Sequence, residues 1–76
     1  KDINGKEGLL LEDVLLTAGM RWTDENRFIV VGKDDSKVEI SLKEMLTCYM
    51  VEDKGKVILY QGEREIMRNV IRIEKK

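Results

Sequence analysis

Apolar positions along the chain follow two different periods. From Leu11 they fall at Leu11, Val14, Leu15 and Ala18, the spacing that lines one face of a helix. Glu12 and Asp13 suit the positive end of that helix's dipole, and Gly19 suits its C-terminal stop, where a left-handed residue is needed. Later the period shortens. FIVVG (Phe28–Gly32) and KVEIS (Lys37–Ser41) are strand-like runs separated by KDDS, which predicts an antiparallel hairpin with Asp34, Asp35 and Ser36 at its tip. Pairing Val31 with Val38 and Ile29 with Ile40 would put these side chains on one face. Ser41-Leu42-Lys43-Glu44 then has the spelling of a capping box, and Leu42, Met45, Leu46 and Tyr49 repeat the helical stripe. Polar VEDKGK leads to VILYQ, and a QGER turn leads to EIMRNVIRIE, read as a second hairpin. At the start, Asn4-Gly5 is a turn signal after a short strand around Ile3.

These elements predict one small α+β domain spanning Lys1 to Lys76. It has a mostly antiparallel sheet of two hairpins plus a short N-terminal strand, and two short helices. The expected core is Leu11, Val14, Leu15, Ile29, Val31, Val38, Ile40, Leu46, Ile58 and Ile71.

Composition narrows the chemistry. A chain of 76 residues buries only about 60% of its unfolded surface, so a deep pocket for a large cofactor is not expected. Net charge is −1, which favours neither nucleic acid nor an anionic membrane as partner. Apolar runs are too short to span a bilayer and the opening residues do not spell a signal peptide, so the expected compartment is the cytoplasm. Abundant Lys and Glu, one Gln and no His resemble the composition of thermophile proteins.

The helix at the start carries more order than amphipathicity requires. Gly8, Leu11, Asp13, Val14, Leu15, Ala18 and Gly19 form a Gly-x-x-Leu-x-Asp-apolar-Leu-x-x-Ala-Gly pattern. It resembles the one in sulfite-oxidase-type molybdopterin-binding domains. FIVVG, KDDS, KVEIS and SLKEML follow in the order that the resemblance implies: strand, aspartate-rich turn, strand, short helix. The family's metal-binding cysteine lies ahead of this helix, whereas Lys1–Glu7 contains no cysteine. The long loops that hold the pterin are also missing. The resemblance therefore implies the scaffold without its molybdopterin site, and no molybdopterin is expected.

Candidate chemistry is sparse. Cys48 is the only cysteine, so an internal disulfide and a cysteine-cluster zinc site are excluded. Without histidine, neither a Cys-His pair nor a Ser-His-Asp triad can form, and Cys48 reads as a buried structural thiol. Phosphate loops and dinucleotide fingerprints are absent, as is the interleaving of basic and aromatic residues that binds nucleic acid. Trp22 is expected to cover the core's edge.

Carboxylates remain. In the expected hairpin, Asp24, Glu25 and Asn26 lie beside the start of the second helix, near Glu44. Glu52 and Asp53 would return toward Asp34 and Asp35. Each group offers oxygen ligands on irregular backbone, which suits Ca²⁺. Nearby Lys and Arg could equally neutralise these carboxylates in solvent. Two non-enzymatic readings follow. One is a small protein that binds a divalent cation, calcium ahead of magnesium. The other is a protein-interaction module, with an unidentified protein partner, on the cofactor-free scaffold.

Overall fold

The computed structural model describes residues 1–76. The chain opens with a tight hairpin, β1 (Asp2–Ile3) and β2 (Lys6–Glu7), turned by Asn4 and Gly5 at φ 52° and 83°. Both values lie in the left-handed region that Gly and Asn tolerate best. A short strand, β3 (Leu9–Leu10), then runs straight into helix α1 (Leu11–Thr17). The helix ends in a Schellman motif: the Met20 amide donates to the Leu15 carbonyl and the Gly19 amide to the Leu16 carbonyl, each at 3.0 Å, with Gly19 at φ 88°.

Two hairpins follow. Strands β4 (Arg27–Gly32) and β5 (Lys37–Ser41) form the first, and helix α2 (Leu42–Met45) leads to β6 (Cys48–Asp53), which pairs with β7 (Lys56–Gln61). The chain ends in β8 (Arg64–Arg68) and β9 (Val70–Lys75). All pairings are antiparallel: β3-β6-β7-β8 form one sheet, β5-β4-β9 another, and β1-β2 a two-stranded ribbon. Mostly antiparallel sheet with two short helices is thus the architecture, but in three sheets rather than one.

Three differences from the expected elements have local causes. EIMRNVIRIE is not one strand. Asn69 takes φ 62° and breaks it, so β8 stays in the four-stranded sheet while β9 crosses to pair with β4. The second helix lasts a single turn, and Cys48 and Tyr49 lie in β6, a strand hidden in the sequence by its polar Glu52-Asp53 end. The first hairpin is out of the expected register by one residue. Its loop closes through Gly32 and Ser36 with Asp35 at φ 67°, and Phe28 pairs with Ile40, Val30 with Val38. A one-residue shift exchanges the two faces of a strand.

Ten buried residues from both larger sheets and both helices form the main core, with Phe28, Val30, Met45, Cys48 and Leu59 at its centre. Of the expected core, Leu11, Leu15, Val31, Ile40 and Ile58 are buried, while Val14, Ile29 and Val38 are half-buried. Leu46 and Ile71 are exposed. Leu46 caps a helix that ends before it can turn that side chain inward, and β9 faces the core with Val70 and Ile73 instead. Trp22 meets Phe28 edge to face, with 5.7 Å between ring centroids.

A second cluster lies on the other face of β6 and β7. There Ile3 packs with Val51, Ile58 and Tyr60 beneath the β1-β2 ribbon. Gly8 makes that crossing possible, because a Cβ on it would stand 2.7 Å from Ile3 Cγ1 and 3.2 Å from the Lys1 carbonyl.

Candidate functional site

The Asp24–Asn26 turn does lie beside the start of α2, and the two share a shallow concavity with Arg27, Ser41 and Lys43. Asn26, however, is already engaged. Its Oδ1 accepts from the Thr23 amide at 2.7 Å and its Nδ2 donates to the Lys76 carbonyl at 3.1 Å, fastening the turn to the end of β9. Glu44 turns back to its own helix. Its Oε1 accepts from the Ser41 amide at 2.8 Å while Ser41 Oγ accepts from the Glu44 amide at 3.2 Å, the capping box that SLKE spells. These bonds hold the Glu44 carboxyl below its ordinary range.

The second acidic group is dispersed as well. Asp34 accepts from the Ser36 amide at 3.2 Å within its own loop, and this bonding to Ser36 holds its carboxyl low. Asp35 is exposed at the hairpin tip. Asp53 pairs with Lys6 at 3.4 Å, and Glu52 lies in a different, apolar groove. Nowhere do three or more His, Cys, Asp or Glu side chains gather closely enough to hold a metal ion. Where the β6-β7 turn does approach Lys33 and Asn69, it presents Lys54 and Lys56 to them.

Cys48 is not poised to bind a metal. Its thiol is buried and donates to the Glu44 carbonyl at 3.1 Å. Burial, then the nearby Glu44 charge, push it up to about 11, so the thiolate that coordinates metal is disfavoured at neutral pH. No buried polar side chain lacks a partner. In the largest concavity, between the first hairpin's loop and β8, Arg68 pairs with Glu65 and Asp34 with Ser36, while Lys33 has no carboxylate partner.

What stands open is apolar. Alternation along β6 puts Cys48, Met50 and Glu52 on one face, where they pair with Gln61, Leu59 and Val57 of β7. The core covers Cys48 and Leu59. Past the half-buried Val14 of α1 that cover ends, and Leu9, Val14, Met50 and Val57 line an open groove with Glu52 at its rim. Leu9, opposite Met50 in β3, keeps 59% of its surface exposed. The groove measures about 190 Å³, below the roughly 300 Å³ at which small-molecule pockets begin.

None of Leu9, Met50 and Val57 was among the site residues expected from sequence. The available signal was surplus: the stripe of α1 uses Leu11, Val14 and Leu15, leaving Leu9 without a place on it. No protein-family model, curated protein or solved structure matches the chain, so function rests on this geometry. No helix is long and apolar enough to cross a membrane.

Proposed function

We propose that the protein is a non-enzymatic interaction module that uses the Leu9–Val14–Met50–Val57 groove to hold a segment of another protein. One observation carries this reading: the apolar face of β6 and β7 continues beyond the core into a surface that the chain leaves uncovered. Leu9 is exposed and Val14, Met50 and Val57 are half-exposed beside it, so the apolar surface here is contiguous rather than scattered singly. The non-catalytic part is supported by the absence of histidine and by the burial of the one thiol.

The scaffold part of the proposal, a cofactor-free relative of molybdopterin-binding domains, rests on the Gly8–Gly19 pattern. It is supported by the order α1, β4, β5, α2 after it. Purified protein should then carry no molybdenum by elemental analysis, and stoichiometric metal would remove that proposal. The groove reading is tested by selecting random peptides of about a dozen residues on the immobilised chain. Binders should be recovered that lose affinity for Leu9→Gln. Peptides that bind both proteins equally would sink it.

A calcium reading keeps one support, the exposed Asp24–Glu25 turn beside α2, where neither carboxylate has an ion-pair partner. It requires Ca²⁺ to shift the amides of Asp24 to Asn26 selectively. If NaCl at matched ionic strength gives the same shifts, screening alone is at work.

A further inference from the structure

The groove does not end at Val57. That residue also lines an adjoining concavity with Lys33, Lys54, Lys56, Asn69 and Ile71. No carboxylate lines this second part. None of its three lysines has an Asp or Glu partner within ion-pair distance, although the chain contains 15 acidic residues and a net charge of −1. Elsewhere Lys6 is matched by Asp53, Arg27 and Lys76 by Glu39, Arg68 by Glu65 and Arg72 by Glu74, while Arg21, Lys37, Lys43, Arg64 and Lys75 also lack an ion-pair partner but line no part of this concavity. Three unmatched cations therefore converge where two hairpin ends approach one another. Ile71 adds an exposed apolar side chain beside them, with 54% of its surface free. The charged side chains of this lining are all cationic, and Val57, Val70 and Ile71 are its apolar members.

Resting on the interaction reading, we propose that the partner segment is acidic at one end: apolar side chains fill the Leu9–Val57 groove while Asp or Glu residues beyond them meet Lys33, Lys54 and Lys56. Charge complementarity decides between occupants. A basic amphipathic segment would place like charges against three lysines, and a wholly apolar one would leave them with no matching charge. Rim charges of this type act mainly on encounter rate, salt dependence and the exclusion of wrong partners. The apolar groove supplies contact area and the lysine end supplies direction, so the peptide lies in one orientation only.

The test uses the peptides recovered on the intact chain. Those that depend on Leu9 should be enriched in Asp and Glu toward one end. Replacing these acids by Asn and Gln, or reversing charge with K33E/K54E/K56E, should each weaken binding by about ten-fold. Raising NaCl toward about 1 M should do the same. The lysines are exposed, so an unchanged melting curve for the triple variant would show that folding is not the cause.

If Leu9-dependent peptides show no acidic enrichment and bind the triple variant equally, the charge inference fails and the interaction reading stands. If no Leu9-dependent peptide is recovered, both fail. Self-association by sedimentation that Leu9→Gln abolishes would make a second copy the occupant. Lysine-dependent binding to phosphatidylserine vesicles with no peptide binding would make it a lipid surface. Either result overturns the proposal.

Discussion

Strands β6 and β7 present two faces that the chain treats in opposite ways. On one, Val51, Ile58 and Tyr60 are sealed by the β1-β2 ribbon, which exists largely to bring Ile3 across them. On the other, Cys48 and Leu59 enter the main core, but Met50 and Val57 pack against it only half-buried and line an open groove with Leu9 and Val14. Apolar character does not explain the difference, since Val51 and Ile58 line one face and Met50, Leu59 and Val57 the other. Cover does. A short ribbon with a left-handed Asn-Gly turn folds back over one face, whereas α1 brings only Val14 to the groove on the other.

The sharpest way to break this comparison is to hollow out each covered face. Leu59→Ala in the main core and Ile3→Ala under the ribbon should each cost about 2–5 kcal/mol in chemical denaturation, because both side chains are fully enclosed. A cost at Ile3 well below that range would mean that the ribbon is a loose flap, and that the two faces are equally open.

Next in size is Gly8→Ala. The added methyl would meet Ile3 Cγ1 at 2.7 Å and the Lys1 carbonyl at 3.2 Å. Ile3 is buried and β-branched and has little freedom to move. Overpacking of this kind costs about 1–3 kcal/mol. The loss should be smaller in an Ile3→Ala background, where the clash is gone, and equal losses in both backgrounds would show that Gly8 serves some other purpose.

Gly8 also shows what was legible in the sequence. As a position in a pattern it could be read, but its reason, a ribbon passing within van der Waals distance, is a long-range fact that no local spacing displays. Local grammar was read well where one segment supplies all the partners. The Gly19 stop of α1, the Asn4-Gly5 turn and the Ser41–Glu44 box all appear in the structure. It failed where a non-glycine residue takes a left-handed conformation that spacing does not reveal. The left-handed Asp35 set the first hairpin's register, and Asn69 split the last run between two sheets.

The acidic residues show the same limit. Proximity of Asp24–Asn26 to α2 was foreseeable, but not that Asn26 and Glu44 would spend their oxygens on backbone amides. The groove was invisible because Leu9, Met50 and Val57 come from three strands, two of which, β3 and β6, the sequence pattern does not spell as strands.

The capping box offers a smaller test, set apart from both faces. Ser41→Ala should cost about 1 kcal/mol, the usual value of an N-cap hydroxyl. It should also alter acid behaviour. Hydrogen bonds from Ser41 hold the Glu44 carboxyl below its ordinary range, so the charged form stabilises the fold. That contribution is complete above about pH 4.3, the ordinary glutamate value, and is lost as pH falls through the lowered folded value. The variant's stability should therefore fall less steeply with acid than that of the wild type. Parallel curves would show that the backbone amide of position 41, which the variant keeps, holds the Glu44 carboxyl low without help from the hydroxyl.

The smallest effect on stability is expected at Leu9, and its smallness is what gives it meaning. Leu9 sits in a two-residue edge strand opposite Met50, with 59% of its surface exposed. Leu9→Gln keeps a side chain of similar reach and adds no charge. It leaves no buried cavity, because the site is open to water from the start. Denaturation should place it within about 0.5 kcal/mol of the wild type, as for ordinary surface substitutions. The comparison of faces demands this result: a residue that belongs to an uncovered surface contributes little to folding, whatever it contributes to binding. If Leu9→Gln instead costs as much as Ile3→Ala, then the groove closes over Leu9 in solution, the face is covered after all, and nothing is left for a partner to occupy.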